Sequence, residues 1–296
     1  MRIAVLGSGL TALSLLRSLP PLPSLSISVF DPGRLPGGRA STRRSREDPA
    51  LEIDHGAPDF AVRANSPAAR LLAGLDLEGW ASADVAGGLL SYSPPAGVPA
   101  DALAALLLPP SPSYRPSTLV TSLSPLPGGG WSLSAGSSYL GDFDVVVVTS
   151  LTPAHPRWES LFGTPPPLPA AAAALPNGEA VRAFLSSLSL VRYSPALVSL
   201  LLLPPGSPTP PLPPGHPVLA RKVARTLGDG RVALALHSTG GYASRPEHAG
   251  VHGGGGAAER SGARGGGRDA GEVAREMFGE YEKVGGGGTP GFGPEL

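Results

Sequence analysis

An α/β fold in two parts is predicted by three observations in this 296-residue chain. An apolar strand candidate at 2–6 runs through Gly7, Ser8 and Gly9 into an amphipathic stretch, then into a second strand that stops at Asp31. Residues 144–148 hold four consecutive valines, the composition of a strand buried on both faces of a parallel sheet. Segments 188–193, 196–203, 218–223 and 231–237 read as strands mostly separated by turns, an antiparallel sheet outside that core. The first two observations give a Rossmann-type domain with a βαβ N-terminus. The third gives a second, α+β domain.

The turn after the first strand has the parts of a dinucleotide cradle. Gly7 lets the chain turn sharply, and Gly9 removes the side chain that would keep a pyrophosphate from the backbone. Ala12 keeps the following helix close to the sheet. That helix turns Leu10, Leu13 and Leu16 inward, with Leu15 and Leu19 as further candidates. Its first N–H groups and positive dipole end face the phosphates, which makes the backbone of Ser8, Leu10 and Thr11 part of the cradle. Asp31 sits where a carboxylate accepts hydrogen bonds from ribose hydroxyls, and an acid there argues against a 2′-phosphate. A GxGxxA match alone is weak in so glycine-rich a chain. Strand, helix, second strand and acid in the required order favour a ligand-binding turn over an ordinary tight one.

Composition excludes several classes. Lysine plus arginine equals aspartate plus glutamate at 23 each, so no global field recruits nucleic acid or an anionic membrane. Neither partner is expected. Only Lys222 and Lys283 are lysines, a compositional bias that removes weight from arginine counts. With no cysteine there is no disulfide, thiolate nucleophile or cysteine metal site. The six histidines lack ligand spacing beside acids, His248 and His252 in a glycine-rich loop being the nearest approach, so no metal is expected. The longest apolar run, 197–203, is too short to span a bilayer. Met1 opens directly on the first strand, leaving no room for a cleavable leader, so a soluble cytoplasmic protein is expected.

Further along, 64–113 reads as short helical pieces broken by prolines, at 66–75 and 100–108. A small β-meander is predicted at 117–123, 131–135 and 138–140, turning at 128–130. A proline-rich departure at 164–174 precedes a helix at 179–187. The expected domains are 1–63 with 114–153 for the dinucleotide, and 64–113 with 154–250 for the substrate. Glycine runs in 251–296 mark a mostly disordered tail with one helix candidate at 270–284.

Two more motifs follow Asp31. Gly37 and Gly38 allow close backbone approach, and Arg34 and Arg39 offer cations to a pyrophosphate. In isolation this is a basic surface loop; its place directly after the acid of a dinucleotide fold makes it a second binding segment. Then come Asp54, His55, Gly56, Ala57, Pro58, Asp59 and Phe60. With its GGRxxT-like stretch at 37–42, the chain resembles the flavin-dependent amine oxidase superfamily. Together with the segment 54–60, the stretch is similar to the renalase-like branch. Weaker agreement continues through 149–153, 191–195, 236–239 and 243–245.

The resemblance implies FAD, with its adenosine half on Gly7, Gly9, Asp31 and Arg39 and the backbone of Val120, in the meander, near adenine. Asp54, His55, Gly56 and Ala57 would face the isoalloxazine. It further implies a hydride taken from a small reduced substrate, a dihydronicotinamide dinucleotide or an amine, and electrons passed to oxygen to give hydrogen peroxide. Hydride transfer needs positioning and exclusion of water more than a protein base, so no side chain is assigned as catalytic acid or base, and His55 reads as a structural histidine. Two departures stand out. Pro58 and Asp59 replace the family's glutamine before an aromatic. The family's closing Gly-Asp strand and helix, which complete the flavin site, are not legible in 251–296. The alternative is a catalytically inactive dinucleotide-binding protein or a truncated product without a complete flavin site.

Overall fold

The computed structural model describes residues 1–20, 23–45, 48, 51–57, 59–75, 80–85, 88–94, 101–109, 112–176, 178–248, 251 and 268–285. Its strands begin with β1 (Arg2–Leu6), β2 (Ser26–Phe30), β3 (Thr42–Arg44), β4 (Glu52–Asp54) and β5 (Phe60–Arg63). They continue with β6 (Ala81–Val85), β7 (Leu89–Ser93), β8 (Ser113–Arg115), β9 (Ser122–Pro125), β10 (Trp131–Ala135) and β11 (Ser138–Phe143). The last four are β12 (Val145–Val148), β13 (Val198–Leu203), β14 (Leu219–Thr226) and β15 (Val232–Ser238). The helices are α1 (Leu10–Ser18), α2 (Pro67–Ala73), α3 (Ala102–Leu107), α4 (Arg157–Phe162), α5 (Pro167–Ala173), α6 (Glu179–Leu188), α7 (Gly240–Ala243) and α8 (Ala270–Val284). Among the described residues no helix is long and apolar enough to cross a membrane.

The chain forms two compact units. The first comprises Met1–Gly38 and Leu103–Tyr193. Its parallel sheet has the order β12-β1-β2-β8, so the chain goes one way from β1 to β2 and β8 and returns to β1's other side with β12. This is the strand order of a Rossmann half, and its reversal point lies between β1 and β12, where such sheets bind ligands beyond their carboxyl ends. On α1, Ala12, Leu13 and Leu16 are buried, whereas Leu10, Leu15 and Leu19 are only half-buried. The meander β11-β10-β9 packs Leu123, Leu133 and Phe143 onto Ala4, Leu6 and Phe30 of the parallel sheet.

Several expectations change in this unit. The valine strand joins the parallel sheet, but at its edge: Val145 is 39% exposed and Val146, Val147 and Val148 are half-buried. Four valines fit a pleated edge as well as an interior. The proline-rich stretch contains α5, because Pro167 stands at its first turn, where no helical N–H is needed, and alanines follow. No strand forms at 188–193. Leu190 and Val191 donate back to Ser187 and Leu188 carbonyls, prolonging the end of α6, and the chain stays irregular to Leu197.

The second unit comprises Arg39–Ala102, Ser194–Gly253 and Arg264–Leu296, as far as these are described. The expected antiparallel sheet is present in the order β13-β15-β14. Along β15, Leu234 and Leu236 pack with Val273, Met277 and Tyr281 of α8. Ala233 and Ala235 face the other way, onto Ile53 of β4. The small alanines admit a second layer there, and β3 and β4 supply it. A bulge in β14 between Leu219 and Arg221 reverses the alternation, so Leu219 packs on the α8 side and Val223 on the β4 side.

The helix at 270–284 has its expected bounds, with Asp269 accepting from the Glu272 N–H as N-cap. The remaining tail at 252–267 and 286–296 lies outside the described residues, as does Pro58. In 64–113 the helical pieces α2 and α3 are joined by a three-stranded sheet, β5-β7-β6, which the prolines at 94–99 mask in the sequence. The compact units run otherwise than the domain boundaries drawn from sequence, and packing gives the reason. Ile53 ties 51–54 to β15, and Leu168 and Ala171 tie α5 to the meander core.

Candidate functional site

In the first unit the cradle is made of backbone. Gly7 has φ +100°, a conformation that side chains strain, and a Cβ there would lie 2.7 Å from Thr149 Oγ1. The Gly7 N–H donates to Phe30 O at 2.8 Å, tying the turn to the end of β2. Gly9 caps α1 without a side-chain hydrogen bond, and a Cβ on it would meet nothing within 4 Å. The first helical bond is donated by Leu13 to Gly9 O, so the N–H groups of Leu10, Thr11 and Ala12 have no acceptor within the helix. With no acid in the first turn, the positive end of α1 is uncompensated by its own side chains.

The second glycine segment closes on the first. Gly37 N–H donates to Ser8 O at 2.8 Å, and Gly38, at φ +59°, comes so near that its Cβ would lie 3.1 Å from Gly9 Cα. Asp31 stands beside both. Its Oδ2 accepts from the Ser8 N–H at 2.6 Å and the Ser8 hydroxyl at 2.8 Å, and its Oδ1 accepts from Gly33 N–H at 2.5 Å. A carboxylate has about four acceptor positions, so these three donors leave roughly one for a ribose hydroxyl. Val120 lies in the irregular stretch before β9, not within the meander strands. Thr118 N–H donates to Asp31 O and Ser117 N–H to Gly33 O, which brings that stretch to the acid. Arg34 is exposed and makes no ion pair with a described residue.

In the second unit the two later motifs are stitched together. Ala57 N–H donates to Arg39 O at 2.7 Å, and a Cβ on Gly56 would lie 1.8 Å from that same oxygen. Only glycine permits this crossing. Beside it β3 pairs antiparallel with β4, Thr42 opposite Asp54, and the buried Thr42 hydroxyl donates to Asp54 Oδ1 at 2.6 Å. Arg39 is exposed.

His55 approaches Ser41 Oγ through Nε2 at 3.4 Å, while its Nδ1 is buried without a partner. Burial first, then the Arg43 charge, holds its imidazole below the ordinary histidine range against the opposing pull of Asp54. The structure adds His237, which sequence reasoning did not select. It projects from β15 opposite Arg221, its Nε2 is also buried and unpartnered, and burial, Arg221 and His55 in that order hold it low. The signal available in the sequence was its odd place in β15, on the face of Ala233 and Ala235 that covers β4. Among the described residues no group of three or more potential metal ligands occurs.

Residues 5–75 match the family described as an NAD(P)-binding Rossmann-like domain. None of the curated proteins matches the chain. Among solved structures, it is similar to a candidate protoporphyrinogen oxidase from Exiguobacterium sp. 255-15, at 11% identity and a TM-score of 0.57, over 100% of this chain and 85% of that one. It is also similar to an oxidoreductase from Methanosarcina mazei, at 14% identity and a TM-score of 0.55, over 96% of this chain and 84% of that one. A third is a CLA-producing fatty acid isomerase from P. acnes, at 11% identity and a TM-score of 0.50, over 96% of this chain and 82% of that one. At such identities the likeness is one of fold: a Rossmann-like domain joined to further antiparallel sheets.

Proposed function

We propose that this chain is an FAD-dependent oxidoreductase of the renalase-like kind. The observation that carries the reading is the joining of Gly56 and Ala57 to Arg39, which sets the third motif against the Arg39 end of the second. An NAD-binding turn needs only the cradle; a flavin needs further contacts for its ring, and the third motif is the segment proposed to supply them.

The residues fit the group. The helix N–H groups of Leu10, Thr11 and Ala12, with open space at Gly9, would take the pyrophosphate, and Arg34 and Arg39 carry charge for it. Asp31, positioned by Ser8 and Gly33, would take the adenosine ribose, with Val120 beside it. Asp54, His55, Gly56 and Ala57 would face the ring. Bound FAD would supply two-electron chemistry, accepting a hydride from a reduced dihydronicotinamide or amine and passing both electrons to oxygen as hydrogen peroxide. The chain's own contribution is binding and orientation. Thr42 holds the Asp54 carboxylate, and the low-lying His55 and His237 stay neutral near pH 7.

The purified protein tests this directly. A yellow protein, or a colourless one that FAD reconstitutes, is the expected result; a colourless protein with no affinity for FAD overturns the reading. A redox-silent dinucleotide-binding protein is the second reading, favoured by a family match confined to 5–75. It predicts binding of ADP-containing ligands with no flavin absorbance and no oxygen consumption.

A further inference from the structure

Four charged or titratable side chains from distant segments meet on one face of the β13-β15-β14 sheet. After the bulge in β14, Arg221 shares a face with Val223 and Arg225, the face that looks onto β4. His237 is its neighbour across the ladder, and His55 follows β4 directly. Arg221 donates through Nη2 to Asp59 Oδ1 at 2.7 Å, a single bond from a guanidinium with five donors. His55 Nδ1 and His237 Nε2 have no partner among the described residues, although both atoms are buried. Buried polar atoms in proteins are paired in the great majority, so two unpaired imidazole nitrogens beside a half-used guanidinium are an unfilled set of hydrogen-bonding groups.

The charges around this set decide what would fill it. Arg43 and Arg221 both act on the histidines as cations. On the acidic side, Asp54 is engaged by Thr42, and Asp59 is the partner of Arg221. A neutral imidazole still donates one N–H, whereas a protonated amine brings only donors and a positive charge. The Asp59–Arg221 pair is open to solvent, the side chains 40% exposed on Arg221 and 50% on Asp59. Such solvent-exposed pairs contribute little, so an incoming anion can replace Asp59 at small cost. Arg221, fixed on a strand, then offers its planar fork to two oxygens at once.

We infer that Arg221, His237 and His55 form a binding site for an oxyanion, the carboxylate or phosphate of the substrate, and that Asp59 is the built-in group it displaces from Arg221. That the anion belongs to the substrate rests on the flavin reading of Asp54 to Ala57; that an anion binds here does not.

The test is a titration of the full-length protein with sodium phosphate, and separately with sodium benzoate, at ionic strength held constant by chloride. The histidine ring proton signals are followed by NMR and assigned with His55→Gln and His237→Gln. Saturable shifts of both signals are expected. Arg221→Gln should weaken the affinity at least about tenfold and Arg221→Lys less, since the lysine keeps the charge without the fork. Asp59→Asn should tighten it by roughly threefold or more, because the competing carboxylate is gone. The tighter of the two anions identifies the phosphate or the carboxylate as the group recognised. Absence of a saturable shift with either anion, or unchanged affinity in Arg221→Gln, overturns the site; unchanged affinity in Asp59→Asn overturns the role of Asp59. FAD titration of the same samples keeps the two ideas apart, since anion binding without FAD binding removes the flavin reading alone.

Discussion

The cradle of the first unit and the polar patch of the second are built on opposite principles. In the cradle the working groups are the backbone N–H donors of Leu10, Thr11 and Ala12, and at Gly7, Gly9 and Gly38 side chains matter by their absence. At His55, Arg221 and His237 the working groups are side chains, brought from three segments by a sheet, and backbone serves only to hold them. A backbone site depends on local conformation; a side-chain site depends on everything that sets the register beneath it.

Glycine substitutions separate the two most sharply. Gly56→Ala puts a Cβ at 1.8 Å from Arg39 O, with backbone on both sides, and should destabilise the protein by about 3 kcal/mol or more, read as a fall in the urea midpoint. Gly9→Ala meets nothing within 4 Å, and Gly9 has φ −70°, which alanine adopts freely. Its stability should stay within about 0.5 kcal/mol of the parent while, on the proposed reading, FAD affinity drops at least about tenfold, because the pyrophosphate would take that space. If both variants lose stability alike, the distinction between a binding glycine and a packing glycine fails.

A smaller effect is expected at Thr42→Val, which removes the hydroxyl that donates to the buried Asp54 Oδ1 and should cost about 1–3 kcal/mol in the same denaturation experiment. The smallest is a pH dependence confined to the second unit. Burial, with Arg43 acting on His55 and Arg221 on His237, holds both imidazoles below their unfolded value, so the unfolded chain takes up protons first as pH falls. Stability from this source is complete above about pH 6.5 and is lost as pH drops through the lower folded-state values. The doubly substituted His55→Gln, His237→Gln protein should show a flatter urea midpoint between neutral and mildly acid pH; an unchanged slope would place the effect elsewhere.

How much of this was legible in the chain follows the same division. β1 and α8 were placed at their observed bounds, and β2 within one residue of its observed end, because a strand ending at a glycine turn and a helix opening on Asp269 carry their signals locally. The tight turn at Gly7 was readable for the same reason. The edge position of the valine strand was not, since four valines say nothing of how many neighbours a strand will have. Nor was His237, whose significance depends on which face of β15 meets β4. The sheet β5-β7-β6 was hidden by its prolines and short strands, and the helix α5 by prolines that in fact begin it.

The bulge between Leu219 and Arg221 has a consequence for how this sheet tolerates change. It works as a phase shifter: odd-numbered residues of β14 serve one layer before it and the opposite layer after it. Lys222, beside Tyr281 of α8, and Arg221, beside Asp59, are therefore consecutive residues with unrelated duties. Deleting the single residue Ala220 would remove the bulge and leave every side chain on its present layer, whereas flattening the bulge with Ala220 retained would exchange those duties and send Arg221 and Arg225 into the apolar layer under α8. The polarity of two layers thus depends on one exposed alanine, Ala220, being held out of the ladder.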